Sequence, residues 1–247
     1  MRCLILSDIH ANLAAFEAVL ADVAVRGLQY DIVWCLGDLV GYGPDPNEGI
    51  ALLQTLPHVC LSGNHDWAAL GRIDLRTFNP DAAALAEWTR EALTPQNLRF
   101  LMARPSSLGQ EDFLLAHASP REPIWEYVLD VMVAEENFPC FTQRYCLVGH
   151  THMPAIFVED GKTHAVRLSY ATPGAPLTLR RDARYILNPG SVGQPRDGDP
   201  RAAYAVLDTS ALTWTNHRVE YPIRVTQDKM RANRFPTRMI ERLDYGR

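Results

Sequence analysis

An α/β fold is predicted by three observations. Short, apolar, β-prone runs alternate with segments of helical period through the first 150 residues. Each of five such runs ends in a cluster of Asp, Asn, His and Gly. The 247 residues are 47% hydrophobic and 21% charged, an ordinary globular balance. A chain of this size can bury roughly 70–75% of its unfolded surface without staples. One domain over 1–247 is expected, with 120–142 as a candidate cap or lid and a helical tail at 221–247.

The runs come in order. Leu4-Ile5-Leu6 leads to Ser7-Asp8-Ile9-His10, and Ile32-Val33-Trp34-Cys35-Leu36 leads to Gly37-Asp38. Val59-Cys60-Leu61 leads to Ser62-Gly63-Asn64-His65-Asp66. Phe113-Leu114-Leu115-Ala116 leads to His117, and Cys146-Leu147-Val148 to Gly149-His150-Thr151-His152. Continuous apolar runs suit strands buried on both faces. Between them, residues 12–26 carry Leu13, Phe16, Val19, Leu20 and Val23 at helical spacing. Ile50, Leu52 and Leu53 mark a helix at 48–56, and 80–102 reads as helix broken near Pro95. Strand–helix alternation implies a parallel sheet, whose ligands bind beyond the carboxyl ends of the strands. The five polar clusters therefore converge on one place.

The second half changes character. Segments 155–158, 164–168, 176–179, 185–187, 202–207 and 212–219 are short and bounded by turn signals such as Asp160-Gly161 and Pro189-Gly190. They predict an antiparallel second sheet. In the Lys/Arg-rich tail, 230–234 and 237–243 read as helices on either side of Pro236, with a solvated face and a face packed on the domain.

Charge and cysteine content exclude several classes. With 24 Lys+Arg against 29 Asp+Glu, the net charge of -5 argues against a dedicated nucleic-acid binder. A phosphate substrate stays open, because bound metal can supply positive charge. No run approaches the ~18–20 apolar residues of a membrane helix. The first apolar run ends in Asp8, unlike a signal peptide, so a cytoplasmic location is expected. The 5 cysteines are odd in number and none are paired at CxxC spacing, so no disulfide framework or thiolate zinc site is expected. Cys3, Cys35, Cys60 and Cys146 lie in apolar runs and read as core filler.

The strand ends collect Asp8, His10, Asp38, Asn64, His65, Asp66, His117, His150 and His152. Imidazole, carboxylate and amide oxygen suit Mn, Fe or Zn. Two such ions ~3.5–4 Å apart can clamp a phosphoryl group. Two carboxylates and a bridging hydroxide leave a pair of divalent ions with about one positive charge, which favours a phosphate anion. His58, His164 and His217 lack comparable company and read as structural or surface residues. Arg121 is a candidate phosphate contact or a surface ion pair; Arg196 and Asp197 are candidates for the cleft rim. Trp125, Tyr127, Val128, Val131 and Met132 suit either a lid or helical packing.

Taken in order, Asp8-x-His10, Gly37-Asp38, Gly63-Asn64-His65-Asp66, His117 and Gly149-His150-x-His152 resemble the calcineurin-like metallophosphoesterases. Gly41-Tyr42-Gly43-Pro44-Asp45-Pro46 and the stretch from Gly190 to Asp197 resemble its small prokaryotic phosphodiesterase branch. The resemblance covers the chain from Met1 through Gly193. It implies a four-layer α-β-β-α sandwich, with two mixed sheets face to face, flanking helices, and a dinuclear metal site at the C-terminal ends of the strands. It further implies that Asp8, His10 and His152 hold one metal, that Asn64, His117 and His150 hold the other, and that Asp38 bridges them. His65 is then catalytic, assisting the leaving oxygen after in-line attack by a bridging hydroxide, and Asp66 orients it. Asn64, His65 and Arg121 are the implied substrate contacts.

Two departures inform the reading. Asp66 stands where the family often has Glu. Val40-Gly41-Tyr42-Gly43 replaces the Asp-Arg-Gly of the protein-phosphatase branch and argues against phosphoprotein substrates. The expected protein is a metal-dependent phosphodiesterase or nucleotide-type phosphohydrolase. It would use two divalent transition metal ions, with Mn favoured over Fe or Zn for activity. Its substrate would be small and phosphorylated, with no obligatory nucleic acid and no membrane, and it would be a monomer or homodimer. The alternatives are a nucleotide-binding regulator and a non-catalytic scaffold on the same fold.

Overall fold

The computed structural model describes residues 1–247. Its strands form two six-stranded mixed sheets. In the first, β1 (Arg2–Leu6), β2 (Ile32–Cys35) and β3 (His58–Cys60) run parallel. β11 (Ala202–Asp208), β12 (Thr213–Val219) and β9 (Leu177–Thr178) extend this sheet antiparallel from β1. In the second, β5 (Phe113–Ala116), β6 (Tyr145–Leu147) and β10 (Ala183–Asn188) are parallel. β4 (Ser107–Gln110) pairs antiparallel on one side, and β7 (Ala155–Asp160) and β8 (Val166–Ser169) on the other.

The expected division into a parallel first half and an antiparallel second half is therefore corrected. Strands of the second half are shared between both sheets, and the five polar strand ends belong to two sheets. Hydrophobic pattern identifies a strand but not its partner, because every neighbour in a doubly buried sheet presents the same kind of face.

Alternation along each strand builds the layers. Leu4 and Leu6 of β1 pack with Val33, Cys35 and Tyr204 against Phe16 and Val19 of α1 (Leu13–Val25). Cys3 and Ile5 turn the other way, joining Trp34, Leu115, Tyr145, Leu147 and Trp214 between the sheets. Cys146 and Ile186 leave the far face of the second sheet to meet Ala134 and Phe138 of the outer layer. The result is the four-layer sandwich, with strands covered on both sides. Cys3, Cys35, Cys60 and Cys146 are buried and free, while Cys140 is exposed.

The helices obey their local signals. Asn12 caps α1 through its side chain, and Asn79-Pro80 and Thr94-Pro95 open α4 (Pro80–Ala92) and α5 (Pro95–Met102). α2 spans Pro46–Gln54, the short α3 Asn64–Ala69, and α6 Val131–Asn137. The tail forms α7 (Ile223–Ala232) and α8 (Thr237–Glu241). α7 begins earlier than its apolar pattern suggests because Thr226 and Gln227 are on its buried face. Their polar groups are satisfied by Asn12, Ile240 and Asp244, an arrangement without hydrophobic period. Met230, Phe235, Met239, Ile240 and Leu243 then pack on Tyr42 and on Ala82 and Leu85 of α4. No helix is long and apolar enough to cross a membrane.

Asn12 joins three distant parts of the chain. It caps Ala15, donates to Gly193 O at 2.8 Å and Tyr221 Oη at 3.2 Å, and accepts from Thr226 at 2.7 Å. Asn12→Ala is expected to lower stability by about 3 kcal/mol, since it removes a cap and strands buried polar partners. Urea unfolding checks this; a loss under about 1 kcal/mol would show that solvent replaces these bonds.

Candidate metal centre

Seven side chains meet where the two sheets end. Asp8 and His10 follow β1, Asp38 follows β2, and Asn64 follows β3. His117 follows β5, and His150 and His152 follow β6. All seven are buried. Five lie in the left-handed backbone region: Asp8 at φ 52, His10 at 49, Asp38 at 51, His150 at 63 and His152 at 59 degrees. Such non-glycine conformations cost on the order of 1 kcal/mol each and persist only where neighbours enforce them. Here the enforcement is a mesh of main-chain bonds across strand exits. It includes His10 N to Asp38 O at 2.9 Å, Gly149 N to His117 O at 2.7 Å and Gly193 N to Asp8 O at 3.0 Å. Close approach also selects Gly63, where a Cβ would stand 2.1 Å from Asp38 Oδ1.

One ring nitrogen of each histidine in this set faces a main-chain carbonyl. The pairs are His10 Nδ1 with Val40 O (3.2 Å), His117 Nδ1 with Leu36 O (2.9 Å), His152 Nδ1 with Gln194 O (2.5 Å) and His150 Nε2 with Trp125 O (3.2 Å). A carbonyl can only accept, so each of these nitrogens carries the proton. The opposite nitrogen is left with a lone pair. Burial pushes all four imidazoles below their ordinary pKa, His152 to about 4, which keeps them neutral.

The free lone pairs point at one another. His10 Nε2 and His152 Nε2 are 3.0 Å apart, and His117 Nε2 is 3.1 Å from Asn64 Oδ1. His152 Nε2 lies 3.3 Å from Asp8 Oδ1, and His117 Nε2 3.5 Å from Asp38 Oδ2. These two carboxylate oxygens are buried and have no hydrogen-bond partner. Their companions are anchored: Asp8 Oδ2 accepts from Ser7 Oγ at 2.6 Å and His150 N at 3.1 Å, and Asp38 Oδ1 from His65 N at 2.8 Å. Acceptors crowded together in a dry site require cations. The donor atoms form two groups, Asp8–His10–Asp38–His152 and Asp38–His117–His150, each within 4.8 Å, and Asp38 belongs to both. The set fits two divalent metals with a shared carboxylate. Burial, and then the charges of Asp66 and Asp8, push the Asp38 carboxyl well up.

His65 is buried beside the cluster but in neither group. Its ring stands perpendicular to His10 at 4.9 Å, against Tyr42 at 4.2 Å and Phe78 at 5.1 Å. Its Nδ1 has no partner. Asp66 does not orient it, which corrects the expectation. At the third position of α3, the short Asp66 side chain reaches back to Gly63 N at 2.9 Å and to Val40 N at 3.0 Å. It braces the loop after β2 against the helix start. Arg121 is not brought to the cluster either. Its guanidinium is paired with Glu126 and with Glu136 at 2.6 Å, which makes it the surface ion pair. Asp197 pairs with Arg218. Arg196, in contrast, lies over Tyr42, with its Cζ 5.6 Å from the ring centroid, and its charge lowers the pKa of His10, His65 and His152. Of the other histidines, His217 stacks on Tyr204 and His164 is exposed.

Several features of the site had no sequence signal. The carbonyls of Leu36, Val40, Trp125 and Gln194 fix the tautomers, and any residue type supplies a carbonyl. Phe78, edge-on to His65 at 5.1 Å, reads locally as a loop aromatic, whereas Tyr127, one of the lid candidates, stacks on His150 at 4.0 Å.

The sequence model of the calcineurin-like phosphoesterase superfamily domain matches residues 1–212. The crystal structure of a metallophosphoesterase from Sphaerobacter thermophilus superposes with a TM-score of 0.89 at 44% identity, covering 100% of this chain and 99% of that one. An uncharacterized protein of Methanocaldococcus jannaschii is 36% identical over 98% of this chain and 97% of its own. The phosphodiesterase YfcE of Escherichia coli is 25% identical over 86% of this chain and 90% of its own. The chain belongs to the calcineurin-like phosphoesterase superfamily and is a phosphoester hydrolase.

Because Asp38 alone joins both donor groups, Asp38→Asn is expected to lower bound metal below two ions per chain and nearly abolish turnover. Elemental analysis of the purified variant checks it; two tightly held ions would remove Asp38 from the shared position. Gly63→Ala, which displaces the same carboxylate indirectly, should weaken metal binding by about 10–100-fold.

Proposed function

We propose that this member of the superfamily is a two-metal phosphodiesterase or nucleotide-type phosphohydrolase acting on a small phosphorylated substrate. The observation that carries the reading is the shared Asp38: two nests of unprotonated donors, one carboxylate apart, are what a pair of ions flanking a phosphoryl group requires. Asp8, His10 and His152 would hold one ion, and Asn64, His117 and His150 the other. Divalent ions there would polarise the phosphoryl oxygens and lower the pKa of water toward neutrality.

The chain's own groups supply the rest. Two carboxylates among neutral imidazoles leave a loaded centre slightly positive, which attracts a phosphate anion. His65 has an unengaged Nδ1 beside His10 and is kept neutral chiefly by burial, then by the charge of Arg196. It would hydrogen-bond the substrate and hold a proton for the departing oxygen. Asn64 would contact the substrate as well as the metal. Trp125 and Tyr127 stand on the His150 side, so residues 120–142 would serve as a cap there. The kinship with a phosphodiesterase, and Tyr42 in place of a phosphatase-type arginine loop, favour diesters over phosphoproteins. The reading includes manganese as the activating ion, a cytoplasmic location, no obligatory nucleic-acid or membrane partner, and a monomer or homodimer.

The test is hydrolysis of bis-p-nitrophenyl phosphate beside p-nitrophenyl phosphate by chelated protein refilled with Mn²⁺. Diester-favouring turnover that vanishes without metal is expected. Two bound ions with no turnover of either ester would support the nucleotide-binding regulator instead. In the same assay His65→Ala should keep both ions and lose about 10²–10⁴ in kcat, most with poor leaving groups. Loss of metal would make His65 a ligand.

A further inference from the structure

His65 is held differently from the other imidazoles of the centre. Main-chain carbonyls orient those four. Nδ1 of His65 is buried without a partner, and Asp66 is turned to the amides of Gly63 and Val40. Packing therefore sets the plane of the His65 ring. Three rings surround it: His10 at 4.9 Å and 90°, Phe78 at 5.1 Å and 88°, and Tyr42 at 4.2 Å and 47°. Aromatic rings attract edge to face and prefer a defined angle. His10 belongs to the metal-binding group, which leaves Tyr42 and Phe78 as walls with no donor atom in either group.

The two walls are themselves fixed. Tyr42 stands at φ 57° between Gly41 and Gly43. A Cβ on Gly41 would lie 2.8 Å from His65 Cβ and Nδ1, and one on Gly43 2.2 Å from His10 O. The turn thus runs against both histidines, and only glycine fits on either side of Tyr42. Tyr42 and Phe78 also join one apolar cluster with Met230 of α7, Met239 of α8 and Leu243. Lys229 of α7 secures that segment to Asp45, in the loop that carries Tyr42, at 2.7 Å. These residues of the C-terminal segment lie beyond residues 1–212, which the superfamily model matches.

We propose that Tyr42 and Phe78 are the positioning residues of His65, and that the C-terminal helices act on the reaction by backing these two rings. The inference rests on His65 as the group that serves the departing oxygen, and deepens that reading. An imidazole free to turn about its Cβ–Cγ bond would meet that oxygen only part of the time. Misplacement of a reacting group by about 1 Å costs on the order of 100-fold in rate. The tail is then part of the catalytic frame, although it supplies no group to the reaction.

The experiment compares kcat and KM of the Mn²⁺-loaded protein on bis-p-nitrophenyl phosphate and on diphenyl phosphate, whose leaving group is poorer. Tyr42→Leu and Phe78→Leu are expected to keep two ions and a KM within about twofold, while kcat on diphenyl phosphate falls about 10–100-fold. The fall should be smaller on the nitrophenyl ester, and Tyr42→Phe should retain most of the activity. Leu243→Ala should show the same leaving-group signature in milder form. In a His65→Ala background these substitutions should cost nothing further. Equal losses on both esters, or losses that persist without His65, would overturn the positioning role. A Leu243→Ala variant identical to wild type would overturn the part given to the tail. A second readout does not depend on turnover. In Zn²⁺-loaded protein labelled with [¹³Cε1]histidine, the His65 signal, identified by its loss in His65→Ala, should be single and narrow. It should broaden or split in Phe78→Leu. An unchanged signal there would overturn the inference, whereas failure of the wild type to hydrolyse either ester would count against the hydrolase reading of the site.

Discussion

Electrostatic frustration at the sheet ends governs this structure. Four imidazoles, two carboxylates and an amide oxygen are assembled in a buried site with their acceptor atoms turned inward and no donor to meet them. Left to themselves these groups repel, and desolvation makes the repulsion worse. The fold tolerates this because each group is held from behind. Carbonyls hold the imidazoles, main-chain amides of His65 and His150 hold Asp38 and Asp8, and Ser7 adds a second bond to Asp8.

Holding the groups this way limits the backbone severely. Left-handed turns at five of the seven donors bring side chains inward immediately after the strands end. Such turns are affordable only within a rigid frame. Two sheets packed face to face through Trp34, Tyr145 and Trp214 provide it, and the cluster lies across the seam, so the donors of each sheet depend on the register of the other. Asp66 belongs to this frame. It ties the loop bearing Asp38 to the start of α3, which also bears Asn64 and His65.

The remainder of the site comes from pieces far apart in sequence. Tyr42 follows β2, Phe78 precedes α4, Trp125 and Tyr127 precede α6, and Arg196 follows β10. The C-terminal helices close the remaining side by packing on Tyr42. The metal-binding interior is thus made from strand ends, while the surface that a substrate would meet is made from loops and the tail. Chemistry and selectivity would then rest on different elements of the fold.

The donors were legible in the sequence for a physical reason. A strand buried on both faces must be a continuous apolar run, so the first polar residues after it mark its end, and Asp8, Asp38, Asn64, His117 and His150 stand at such ends. Caps and prolines likewise announced α1, α4 and α5. Sheet membership was not legible, since a buried strand presents similar faces to any neighbour, and only packing placed β11 beside β1 and β10 beside β6. Nor were the roles of Asp66, Arg121 and Arg196. Each is a charged residue near a motif, and which atom it reaches depends on side-chain direction and distant partners. The sequence by itself determined which polar residues gather at the strand ends; the tertiary structure decided which of their atoms face one another and which main-chain groups orient them. The difference is one of range, because strand ends are local whereas hydrogen-bond partners are set by contacts across the whole chain.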